Sequence, residues 1–179
     1  MTPQHHLPAD IERTSLSIIT AELEALGLTP PPETAAVVKR VIHTTADFDY
    51  ARNLRFTPGA VAAGVAALQA AAPIVTDTNM ALSGITKPGL ARLGDTALLT
   101  IADLIETAGL RPALVIGVPV GFVNVVESKE RLFSVCTAHG VPAIVAMGRK
   151  GGSNVAAAIC NALVYSAAGM LEPTDRGWK

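Results

Sequence analysis

Apolar residues recur at helical spacing in six stretches of the chain and gather into short β-rich runs in three, and the two kinds of segment alternate. In the first stretch Ile11, Leu16, Ile18, Ile19, Leu23 and Leu26 follow Asp10, a suitable N-cap, and the pattern stops at Gly27. A second helix is predicted from about Glu33 to about His43, with Val37, Val38, Val41 and Ile42 on its inner face. "TPGAVAAGVAALQAAA" opens a third helix after Pro58 and leads to a strand, "PIVTD", at residues 73–77. Residues 96–110 read as a helix, 112–119 ("PALVIGVP") as a buried strand, 122–140 as a helix and 141–148 ("VPAIVAMG") as another strand. "RKGGS" then opens the last helix, capped by Ser153. Alternation of this kind predicts an α/β fold: a mainly parallel sheet flanked by helices, in one three-layer domain over residues 1–179, with 1–9 and 172–179 as flexible tails.

Composition narrows the function classes. The chain has 179 residues, half of them hydrophobic, which suffices for one core. A formal net charge of -1 and a pI near 6.4 give no overall basic field, so neither nucleic acid nor an anionic membrane is expected as a partner, and any charged site must be local. Cys136 and Cys160 have neither disulfide nor metal-ligand spacing, and the first residues lack the basic and apolar regions of a signal peptide; a cytoplasmic protein is expected. Two uncharged runs, 56–76 and 151–171, are long enough to span a bilayer, yet Ala and Gly dominate both. They read as helices pressed against a sheet or a second subunit, not as membrane spans.

Sheets of this type hold ligands where strands end and helices begin. Three such exits carry polar or glycine-rich sequence: "TDTNMALSGITKPGL", "GVPVGFVNVVESKE" and "GRKGGSN". Gly117 and Gly121 allow close approach of backbone to a ligand, and Arg149 and Lys150 add cations beside a helix N-terminus. The spacings match neither the dinucleotide nor the P-loop glycine pattern. These turns therefore suit carboxylates or phosphates, or else serve only as tight strand-to-helix connections.

His43, in "VIHTTADFDY", lies off the apolar stripe of its helix and shares a face with Lys39 and Arg40. Those cations favour a neutral imidazole until an anionic ligand docks beside Arg40; Asp47 would act likewise were the helix one turn longer. A histidine so placed serves either as an acid/base or as a packed residue at a helix end. No second histidine stands at ligand spacing and no Ser-His-Asp signature is present, so no metal site is expected.

The strings "VIHTTADFDYARNLRFTPGAVAAGVAALQAAAPIVTDTNMALSGIT", "GVPVGFVNVVESKE" and "GVPAIVAMGRKGGSNVAAAICNAL", with "IERTSLSIITAE" before them, resemble the precorrin-8X methylmutase family in order from about residue 11 to about residue 169. The resemblance implies a homodimeric α/β isomerase of cobalamin biosynthesis that binds a tetrapyrrole, a corrin precursor, near the subunit interface. It implies transfer of a methyl group from C-11 to C-12 of precorrin-8X or cobalt-precorrin-8, giving hydrogenobyrinate or cobyrinate, without redox or metal cofactor. His43 then corresponds to the family's proton donor and acceptor. Ser15, Arg40, Thr86, Gly121, Arg149, Gly151, Gly152 and Ser153 correspond to substrate-binding positions. One departure stands out: a strand-and-helix unit that follows the "GIT" turn in the family is missing where "GITKPGLARLG" runs straight into "DTALL". A shortened member of this kind is read as an active methylmutase, with an isomerase of another substrate or a non-catalytic corrinoid carrier as the alternatives.

Overall fold

The computed structural model describes residues 7–76, 80, 81 and 98–176. Among the described residues the elements with both ends defined are, in order, α1 (Pro8–Ala25), α2 (Pro32–Thr45), α3 (Tyr50–Asn53), β1 (Leu54–Phe56), α4 (Ala60–Gln69), α5 (Leu98–Thr107), β2 (Val115–Gly117), α6 (Val125–Ala138), β3 (Ala143–Ala146) and α7 (Ser153–Ala167), and a 3-10 turn, Pro173–Arg176, closes the described chain. That turn packs against α1, with Pro173 buried, inside the stretch expected as a tail.

The sheet is mixed, not mainly parallel. Its order is β1-β3-β2; β2 runs parallel to β3, whereas β1 runs antiparallel to it, with Leu54 opposite Ala146. "LRF" is too short and too charged to announce a strand, and pairing with β3 selects it. Thr57 prolongs that edge: its amide donates to the carbonyl of Ala143 at 3.0 Å, and its hydroxyl accepts the amide of Ala143 at 2.8 Å. Residues 73–76 of "PIVTD", by contrast, pair with no strand among the described residues, and Asp77 lies outside them. β-branched side chains alone do not make a strand; a backbone ladder must form as well.

β3 is the hub. All four of its residues are buried, and the pleat sends them alternately to two cores. Ile144 and Ala146 join Val37, Val38, Val41 and Ile42 of α2 and Val155, Ile159 and Leu163 of α7. Ala143 and Val145 join Ala102 and Ile105 of α5 and Leu132, Val135 and Cys136 of α6. Helices therefore cover both faces of β3, as its unbroken apolar run requires. The inner face predicted for α2 is the face found, and the small residues of run 151–171 let α7 lie directly against α2 and α4. No helix among the described residues is long and apolar enough to cross a membrane.

Two helix ends differ from expectation in ways that bear on the site. α1 begins at Pro8, with Leu7 rather than Asp10 at its N-cap, and Asp10 pairs with Arg13 at 2.8 Å instead. α2 ends at Thr45 because Ala46 adopts a left-handed conformation with φ of 52°.

Candidate active site

One turn of α1 meets one turn of α2 to build the first half of the site. Glu12 and Ser15 are three residues apart on α1, as Arg40 and His43 are on α2, so each pair shares a face. The Ser15 hydroxyl lies 2.7 Å from Nδ1 of His43. Arg40 donates through Nη2 to Oε1 of Glu12 at 2.6 Å. A carboxylate exposed to only 4% needs a cation, and Arg40 supplies it while its guanidinium lies 5.1 Å over the ring of Tyr165. Arg40 is therefore not the unpaired cation that the sequence reading set beside His43.

Ser15 gives His43 a fixed azimuth without fixing its proton. A hydroxyl both donates and accepts, so it can donate to a bare Nδ1 or accept from Nδ1–H as the ring changes charge. Nε2 is thus the atom through which a proton can be exchanged while the Ser15 contact persists. Asp47, which would face His43 only were α2 one turn longer, is drawn away by the left-handed Ala46. It accepts from the amide of Asp49 at 3.0 Å and from Nζ of Lys150 at 2.6 Å.

His43 stands between two cavities. The larger, about 490 Å³, is bounded by His43, Arg40 and Thr44 on one side and by Asn154, Asn161 and Tyr165 on the other, over Ala157 and Ala158. The smaller, about 320 Å³, is lined by Ser15, Ile18, Glu22 and Phe48. Ile11 and His43 border both and form the ridge between them. This explains why Ile11 and Ile18, counted as core in the sequence, are half exposed. The sequence reading assigned Ile11 to the core and passed over Glu12, Asn161 and Tyr165. A signal existed for two of them: Glu12 stands one turn before Ser15, and Asn161 interrupts an Ala-rich apolar helix.

The second half forms at the carboxyl ends of β2 and β3, which the parallel register sets side by side. The amide of Gly152 donates to the carbonyl of Val118 at 2.7 Å, and that of Gly121 to the carbonyl of Arg149 at 3.3 Å. Gly151 sits so tightly that a Cβ there would collide with the Val118 carbonyl oxygen and come within 2.5 Å of that of Pro119. Gly152, with φ of 120°, takes the N-cap position of α7, which moves Ser153 one place into the helix from the cap expected for it. Arg149 lies 5.4 Å over the ring of Phe122, itself 82% exposed. Lys150 is bound to Asp47 and to Asp49, at 2.6 and 2.7 Å, so its charge is already matched; the two carboxylates raise its pKa, and Lys150 lowers that of Asp49.

Beneath these turns lies Lys129, unmarked in the sequence reading. It is 0% exposed, and its Nζ donates to the carbonyls of Gly148 and Lys150, each at 2.8 Å. Burial pushes its pKa down to about 8. Its position with Leu132 and Cys136 on the buried stripe of α6 was the legible clue: a cation where an apolar residue belongs.

Arg40 and His43 thus meet at the larger cavity and Ser15 and His43 at the smaller, while Gly121, Arg149, Gly151, Gly152 and Ser153 gather at the paired turns. The first turn of α7 joins the two, because Asn154 lines the cavity opposite His43. Thr86 lies outside the described residues.

The sequence pattern of precorrin-8X methylmutases matches residues 10–96 and 93–166. The chain is 37% identical to the cobalt-precorrin-8 methylmutase of Salmonella typhimurium over 88% of its length and 95% of the relative's. It is 36% identical to the precorrin-8X methylmutase of Pseudomonas aeruginosa over 86% and 93%. The crystal structure of precorrin-8X methylmutase from Thermus thermophilus superposes with a TM-score of 0.79 at 34% identity, covering 89% of this chain and 98% of that one. The Salmonella alignment runs over 206 residues although this chain has 179, so that relative carries stretches with no counterpart here. The two matched stretches of the family pattern meet at residues 93–96, where the sequence reading placed the missing segment.

Proposed function

This chain belongs to the precorrin-8X methylmutase family, and from that premise we propose that it moves the methyl group of precorrin-8X or cobalt-precorrin-8 from C-11 to C-12, yielding hydrogenobyrinate or cobyrinate in cobalamin biosynthesis. The observation that carries the proposal is the 2.7 Å contact between Ser15 and His43, the latter on the wall of the larger cavity. The migration is an isomerisation, so what enters as a proton must leave as one. His43 delivers a proton to the macrocycle beside the migrating methyl group and recovers one when the rearranged ring system re-forms its conjugation. No oxidant, reductant or metal cofactor enters this balance. Rate enhancement then comes from holding the macrocycle over Nε2 and from a proton donor whose orientation Ser15 sets in advance.

Ser15 acts in this scheme through His43. Arg40, neutralised by Glu12, shapes the cavity wall and offers the substrate the N–H groups that Glu12 leaves. Acetate and propionate groups of the macrocycle are met by Arg149 and the Gly151–Ser153 backbone, with Gly121 allowing close approach and Thr86 adding a hydroxyl. The exposed apolar side chains of Leu7 at the N-cap of α1, of Ile11 and Ile18 on α1 and of Val120, Phe122 and Val123 after β2 favour a homodimer that covers them, with substrate near the interface. The chain acts as one domain in the cytoplasm.

The test is incubation of the purified protein with precorrin-8X while following the absorbance change to hydrogenobyrinate. Conversion is expected; absence of both spectral change and binding overturns the reading. The shorter chain favours one second reading, a corrinoid carrier, which predicts tight product binding without turnover.

A further inference from the structure

We propose that Lys129 is a positioning residue for the substrate-facing turn 148–152, setting the affinity for the macrocycle's anionic groups without touching them. The inference rests on the methylmutase reading and assigns to this site a residue that lies beneath it.

The geometry is specific. Nζ of Lys129 draws the carbonyl oxygens of Gly148 and Lys150 inward, at 2.8 Å each. No peptide bond in the described chain is cis, so each amide N–H points away from its own unit's carbonyl. The amides on those two units belong to Arg149 and Gly151. Turning the carbonyls inward turns both N–H groups outward, and neither has a hydrogen-bond partner among the described residues. Without the lysine, two carbonyl dipoles could rotate toward the same face and meet an anionic ligand with the wrong sign. Lys129 is also the wrong residue for packing alone. A fully buried ammonium is expensive, and a Met of similar length would fill the space on α6 without that cost. No carboxylate pairs with it among the described residues; its hydrogen-bond partners there are the two carbonyls of one turn. Gly152, fixed to Val118 at 2.7 Å, and Gly121, fixed to Arg149 at 3.3 Å, transmit the position to the neighbouring turn.

The experiment compares wild type with Lys129→Met and with Val135→Ala, which loses core packing on the same helix away from the turn. Steady-state isomerisation gives kcat and KM, product titration gives Kd, and hydrogen exchange at Gly152 reports the turn whatever the activity. For Lys129→Met, KM and product Kd should rise roughly tenfold or more while kcat stays within about threefold, and exchange at Gly152 should quicken about tenfold. Val135→Ala should leave all of these within about twofold. If Lys129→Met does not fold, Lys129→Gln, which keeps N–H donors at shorter reach, should show the same split more weakly. A folded variant with unchanged KM or unchanged exchange overturns the proposal, and so does an equal rise in Val135→Ala. A wild-type protein that does not turn over precorrin-8X overturns the methylmutase reading instead, and exchange at Gly152 then decides the role of Lys129 alone.

Discussion

At the scale of the residue, the contact between Ser15 and His43 divides orientation from proton transfer. His43→Ala removes the transferable proton and should abolish isomerisation, leaving product Kd within about tenfold, roughly 1.4 kcal/mol. Ser15→Ala leaves the imidazole but frees its rotation, and kcat should fall about tenfold with KM nearly unchanged, as for other orienting partners. Steady-state kinetics on the two variants checks both; a Ser15→Ala enzyme impaired only in KM would make Ser15 a substrate contact. Its place off an apolar stripe beside cations made His43 a candidate in the sequence, and the family resemblance, not periodicity, gave it the proton. Its neighbours were harder to find. Arg40 reads from the sequence as a free charge, and only the approach of α1 places Glu12 against it at 2.6 Å. Asp47 could have joined His43 had the helix run one turn further, and a single left-handed residue, Ala46, sends it to Lys150. Pairings that depend on how two helices cross, or on one φ angle, leave no mark in periodicity.

At the scale of the element, helices were legible and strands only partly so, for a reason visible in the sheet. α2, α4, α6 and α7 carry enough turns for a stripe to declare itself, and each begins within a few residues of its expected start. The strands are three or four residues long, and β1 exists only because β3 offers it a ladder. The turns joining strand to helix were legible through their glycines, though not through what those glycines do. In "GRKGGS", Gly151 is required by space: a Cβ there meets the backbone of residues 118 and 119, which no side-chain rotation relieves. Gly151→Ala should therefore separate the two turns, lower stability by about 1–3 kcal/mol and weaken product binding. Thermal melting with product titration checks this, and a variant with unchanged Tm and Kd would show that the turns do not need this close contact.

At the scale of the whole molecule, the buried lysine leaves a signature in stability against pH. The folded-state pKa of Lys129 is about 8, against 10.5 when free, because burial disfavours the ammonium. Below pH 8 both native and unfolded chains hold the proton, and the native state carries the full cost of burying it. Between about 8 and 10.5 the native lysine sheds its proton while the unfolded one keeps it, so stability rises with pH across that window. Buried acids oppose it, Tyr50 among them, since burial raises its pKa too, and the two thiols first as pH rises. Burial raises the pKa of Cys136 to about 11 and of Cys160 to about 12, from 9, so an unfolded chain releases these protons first and stability falls as pH climbs through 9. The lysine effect is therefore cleanest from pH 8 to 9 and in a difference that cancels the thiols. Urea unfolding of wild type and Lys129→Met at pH 7, 8 and 9 should show their gap in unfolding free energy moving by roughly 1 kcal/mol in favour of wild type from pH 8 to 9, with almost no change from 7 to 8 beyond the onset of titration. A gap that stays constant across all three would mean that Lys129 keeps its proton throughout, and that its two carbonyl partners compensate for burial more fully than their dipoles suggest.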